Sequence, residues 1–192
     1  MNSLMLAGAY SNREKASETA ARTGGISLAA TSTETNHLPF ASLVLSVTDE
    51  LDFFVRDADA GSFLVHERPI KNTPLLQLTK KNQPGSIGIF TMVANAELGA
   101  RESDRHWRDK HAPLALEVHA AMTHYYQLSV LQRFNGPEWD GFALCCFRNE
   151  DDLKTRFFNT PEGQTSIATD VAKFADTRKS PRRVLSAFAK TD

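Results

Sequence analysis

Short apolar runs bounded by turn formers alternate along the chain with polar stretches of helical period. Ser3 to Tyr10 predicts a strand, Asn12 to Thr23 a helix stopped by Gly24-Gly25, and Ile26 to Thr33 a second strand. Past the turn-like Asn36-His37-Leu38-Pro39, Ala41 to Val47 predicts a third strand. Glu50 to about Glu67 reads as a helix interrupted near Gly61, and Leu75 to Thr79 as a short fourth strand. The order is β-α-β-β-α-β. It starts again after the polar, turn-rich stretch that ends at Gly85, with a strand over Ser86 to Val93 and a helix over about Ala100 to Ala121. Strands at Tyr125 to Phe134 and Gly141 to Phe147 follow, then a helical region from Glu150 to Ala175 broken around Pro161, and a last strand from Arg183 to Phe188.

Two such units divide the chain into residues 1–80 and 86–192, with a link over 81–85. A sequence echo accompanies the pattern: Asp49-Glu50-Leu51, Phe53-Phe54 and Gly61 against Asp151-Asp152-Leu153, Phe157-Phe158 and Gly163. A four-stranded ferredoxin-like sheet carries helices on one face and leaves the other apolar and bare. The expected fold is therefore α+β, with two fused ferredoxin-like units whose sheets pack face to face as a pseudo-twofold α+β barrel. A chain that covers its own sheets is viable as a monomer, while a homodimer through exposed strand edges stays open.

Composition narrows the partners. With 192 residues, 41% hydrophobic and 23% charged, the chain can bury a core without staples. The net charge of −1 gives no electrostatic reason for a nucleic acid partner. Leu4 to Ala9 is too short for a secretory segment, and no apolar run reaches membrane-spanning length, so a soluble, cytoplasmic protein is expected. Cys145 and Cys146 are adjacent in a strand, which sends their side chains to opposite faces as reduced packing residues. The basic stretch Arg178 to Arg183 reads as a solvated connection.

Candidate chemistry concentrates in Asp104 to Leu114, with one indole and two imidazoles, followed by His124-Tyr125-Tyr126. Trp107 and His111, four apart, share a helical face, whereas His106 and His111, five apart, do not. That spacing, with no His-Glu-x-x-His or carboxylate triad, argues against a metal site. No phosphate-cradling glycine loop or Gly-x-Ser-x-Gly elbow is present.

The run Trp107-Arg108-Asp109-Lys110-His111-Ala112-Pro113-Leu114, in the first helix of a ferredoxin-like unit, resembles the Trp-x-x-x-His-x-Pro-Leu signature of EthD-type proteins of the dimeric α+β barrel superfamily. The resemblance covers roughly Ser86 to Lys190. It departs at His106 and Ser103, where the family carries aromatics, and the N-terminal unit, around Glu14 to Ala21, has neither the Trp nor the His. If the signature marks an active site, the first unit is a degenerate scaffold.

Three functions stay open on these residues. The resemblance implies a cofactor-independent lyase or isomerase acting by decarboxylation, dehydration or aldol-type cyclisation on a small aromatic or polycarbonyl (polyketide-like) compound. His111 would be the general base, and His106 and Tyr125 further acid/base candidates. Trp107, Tyr126 and His124 would bind the substrate in an apolar cavity between the two sheets. Some relatives in the superfamily handle haem, for which a histidine beside an apolar cavity could be an axial ligand. Third, the chain could be a non-catalytic ligand-binding protein with Trp107 and His111 an ordinary packing pair. His119 and His66 read as surface or cap residues, and His37 as solvated.

Overall fold

Strong local signals set most element ends. The computed structural model describes residues 3–32, 37–180 and 187–191. The first half runs β1 (Ser3–Tyr10), α1 (Arg13–Thr23), β2 (Ile26–Ala30), β3 (Ser42–Ser46), α2 (Leu51–Asp57) and β4 (Gly61–Lys71). The second runs β5 (Ser86–Met92), α3 (Ala100–His106), α4 (Ala112–Val118), β6 (His124–Asn135), β7 (Gly141–Phe147), α5 (Glu150–Thr155), α6 (Pro161–Phe174) and β8 (Ala187–Thr191). The Asn12 carboxamide caps α1 by accepting from the Glu14 and Lys15 amides, and Gly24, at φ 64°, ends it in the left-handed conformation. Thr160 caps α6, with Pro161 in its first turn.

The fourth strand departs from the sequence expectation, which prolongs a helix through residues 61–67 and makes Leu75 to Thr79 a strand. Instead Gly61 opens the long strand β4, and Leu75–Gln77 is a single 3₁₀ turn. Beyond Gly61 the chain alternates: Phe63 and Val65 enter the barrel core, and Glu67 on the same parity is buried too. That period-2 pattern, paired along β1, outweighs the helical propensity of the preceding segment.

All strand pairs are antiparallel, in the order β1-β3-β2-β8-β5-β7-β6-β4, with β4 closing back on β1. The expected barrel forms, with the inner faces of both halves sharing one core, and its sheets are also joined at their edges. β4 pairs with β6 from Ser62↔Asn135 to Lys71↔Tyr125, and β2 with β8 from Ser27↔Thr191 to Ala30↔Phe188, so the halves join edge to edge in one closed barrel. Closure satisfies the edge amides and encloses the bare apolar face together.

The barrel interior is solid. Phe63, Phe142, Phe188, Phe40 and Trp139 pack there with neighbouring ring centroids 5.3 to 5.9 Å apart. Along β7, Phe142, Leu144 and Cys146 point inward, while Ala143, Cys145 and Phe147 point outward to the helices of the second half. The two cysteines are free and do face opposite ways. Residues 183–186 of the expected last strand, and Thr33 and Asn36 near the first turn, lie outside the described residues. Among the described residues, no helix is long and apolar enough to cross a membrane.

Candidate active site

Between α3 and α4 the helix does not break but widens: Trp107–His111 is π-helical, and the Ala112 amide donates to the Trp107 carbonyl five residues back. Pro113 has no N–H to donate, and its ring crowds the carbonyl four residues earlier, which favours a widened turn just before it. Gln127 on β6 secures the turn, its Nε2 donating to the Trp107 carbonyl at 2.9 Å and to the Tyr125 hydroxyl at 3.2 Å. The Trp107 ring lies against Gly141, where a Cβ would come within 2.6 Å of it. The Arg68 guanidinium of β4 stands 5.2 Å from the indole and binds Asp104 of α3 at 2.8 and 2.7 Å.

Widening overturns one geometric expectation. At 3.6 residues per turn, residues five apart face about 140° away from each other, but i→i+5 closure stacks them. His106 and His111 thus reach the same carboxylate, Asp170 of α6: His106 Nε2 lies 2.9 Å from Oδ1, and His111 Nδ1 3.0 Å from Oδ2. Phe174, one turn along α6, backs both rings, with centroids at 5.4 and 5.0 Å. Burial opposes ionisation of Asp170, but hydrogen bonds from His111 and His106 outweigh it and hold the carboxyl well below the usual carboxylate range. A carboxylate only accepts, so both facing ring nitrogens carry hydrogen, and the lone pair of neutral His111 sits on Nε2.

His111 lines a cavity of about 240 Å³ between the outer face of β5, β6 and β7 and the helices α4 and α6. This corrects the expectation of a cavity between two sheets, since the barrel interior is occupied by aromatic rings. Phe90, Trp107, Phe157, Phe158 and Phe174 supply flat apolar walls, and Tyr125, His119 and Gln164 are among the polar groups. Tyr125 is fully buried. Its oxygen takes hydrogen bonds from Gln127 and the Trp107 side chain, which leaves its own O–H free to donate. Burial raises the phenol pKa, so the proton stays on.

The other sequence candidates fall elsewhere. Tyr126 and His124 have the barrel-facing parity of β6, not that of the cavity: the Tyr126 hydroxyl donates to the Thr73 carbonyl, and His124 Nδ1 meets the Thr123 hydroxyl at 3.1 Å. His106 contacts Asp170 from outside the cavity lining. Sequence reasoning missed Asp170, a lone carboxylate in a polar helix that nothing local distinguishes from a solvated one.

His119, expected at the surface, is 3% exposed and lines the cavity, its Nδ1 2.6 Å from the Phe157 carbonyl. Burial pushes its pKa down from 6.5 to about 4. In the unfolded chain His119 takes up a proton first as pH falls, so stability is lost from about pH 6.5 down through 4. Urea unfolding of wild type is expected to lose about 2 kcal/mol more than His119→Asn between pH 7.5 and 5. Equal losses would show that His119 titrates normally.

Residues 95–178 match the EthD domain. That span holds His106, Trp107, His111, His119, Tyr125 and Asp170. A solved structure titled "Crystal structure study of anthrone oxidase-like protein" superposes on the whole chain with a TM-score of 0.59, covering 100% of this chain and 91% of that one at 8% identity, a likeness of fold. No curated protein matches the chain.

Proposed function

We propose, from the match of residues 95–178 to the EthD domain, a cofactor-independent lyase or isomerase in which His111 moves a proton on a small aromatic or polycarbonyl compound. The observation that carries the reading is an Asp170-oriented imidazole opening onto an aromatic-walled cavity. His111 Nε2 takes the proton from a carbon beside a carbonyl, and the C–H electron pair moves onto the carbonyl oxygen. The Tyr125 hydroxyl donates to that oxygen as charge builds, in a site walled by aromatic rings. The imidazolium, paired with Asp170, then returns the proton to another carbon or to a departing hydroxyl. His106 acts through Asp170 as a positioning residue, and Trp107 as a wall. On the same reading the two halves are fused ferredoxin-like units, the first a degenerate scaffold.

Cavity size weighs against the haem reading. About 240 Å³ lies below the ~300–1,000 Å³ of pockets for drug-sized ligands, and suits one or two rings rather than a porphyrin. Two measurements test the function. Incubation in deuterium oxide with one- and two-ring 1,3-dicarbonyl compounds and phenolic ketones is expected to show enzyme-dependent C–H exchange at the activated carbon. A stoichiometric Soret band on adding haem, lost in His111→Ala, would overturn it.

A further inference from the structure

Two turns of helix beyond His111 and lining the same cavity, the His119 ring is held as firmly as a site residue. The Phe157 carbonyl, 2.6 Å from Nδ1, can only accept, so Nδ1 carries the hydrogen and Nε2 the lone pair. Phe157 and Phe158 flank the imidazole with centroids at 4.3 and 5.3 Å and fix its plane. Among the described residues no donor meets Nε2 of His111 or of His119, and neither nitrogen is among the fully enclosed polar atoms that lack a partner. Both residues line the same cavity. Among the described residues the lining contains no carboxylate, lysine or arginine. The ligand that matches these walls and acceptors is flat and carries a hydroxyl hydrogen.

We infer that His119 is a specificity-determining residue whose Nε2 accepts a hydrogen bond from a ring hydroxyl, so that the cavity selects phenols. The inference rests on the cavity being the substrate site proposed above and narrows the substrate to a hydroxylated aromatic ring. Burial supports it, because an imidazole kept neutral down to about pH 4 stays an acceptor throughout the physiological range. A phenol satisfies the acceptor and fills the aromatic walls. Its methyl ether fills the same walls but leaves the lone pair unmet, at the cost of a buried group without its bond.

Equilibrium binding of 2-naphthol and 2-methoxynaphthalene, read by ligand fluorescence, tests this without turnover. Wild type is expected to prefer 2-naphthol by about tenfold or more, the worth of one buried hydrogen bond. His119→Asn can keep the bond to the Phe157 carbonyl through its amide while losing the ring's outer nitrogen, and is expected to bind both probes alike. His111→Ala should retain the preference. In wild type with ¹⁵N-labelled histidine, 2-naphthol should shift one unprotonated imidazole nitrogen and the ether should not, a readout that holds even if a variant fails to fold. No preference in wild type, or a preference that survives His119→Asn and vanishes in His111→Ala, overturns the inference. A lost preference in His119→Asn without any C–H exchange by wild type would instead uphold the phenol subsite and sink the proton-transfer reading.

Discussion

Replacing Asp170 with asparagine is expected to lower kcat for the cavity's substrate by about 10²–10⁴, as does replacing His111 with alanine, with KM nearly unchanged in the asparagine variant. An asparagine has one carbonyl oxygen for the two N–H donors that now share the carboxylate. Whichever imidazole meets the amide N–H must move its own hydrogen to the other nitrogen. If that ring is His111, the hydrogen lands on Nε2 and the base is blocked. If it is His106, His111 keeps its tautomer but loses the negative charge that stabilises the imidazolium. Both routes slow the proton step, and neither changes the cavity wall, because Asp170 does not line it. His106→Phe, which retains an aromatic ring against Phe174, should cost far less. Steady-state kinetics on the compound found by deuterium exchange check the set. A rise in KM with kcat intact would make Asp170 a structural residue and remove the dyad.

How far the site was legible follows from what each signal depends on. The Trp107–His111 segment stood out because an indole and two imidazoles in eleven residues are conspicuous in any conformation. Its partner did not, because Asp170 comes from α6, and its role exists only once α6 packs along the widened turn. The relation of His106 to His111 was misjudged because a sequence is read at 3.6 residues per turn. The one cue to a different pitch, Pro113 six residues after Trp107, is ordinary at a helix start. His119 was placed outside because it follows the charged Glu117 at the end of a helix, a setting that reads as solvated until the Phe157-Phe158 loop folds over the imidazole. Strand periodicity carried β1 and β7 to the residue, and failed at β4, where helix formers precede Gly61. The closure of the barrel depends on edge pairings between β4 and β6 and between β2 and β8, which leave no local pattern.

Removing the Asp104 carboxylate is expected to have the largest effect on stability. Arg68 is 5% exposed and gives both terminal nitrogens to Asp104, which also accepts from the Ser129 hydroxyl at 2.7 Å. Burial raises the Asp104 pKa, but the bonds from Arg68 and Ser129 win and hold it below the ordinary value, so the pair is ionised at neutral pH. Asp104→Ala strands a guanidinium inside the protein, at about 3–5 kcal/mol, a large part of the ~5–15 kcal/mol that holds a typical domain folded. Arg68→Met should cost less, because its apolar chain packs under Trp107 and the remaining carboxylate, 28% exposed, can still reach water and Ser129. The double variant should therefore be more stable than Asp104→Ala alone. Urea midpoints at unchanged m-value check this order, and a double variant weaker than Asp104→Ala would show that the pair is worth more than the charge it compensates. Arg68 belongs to β4 and Asp104 to α3, so the first half braces the helix that carries Trp107 and His111.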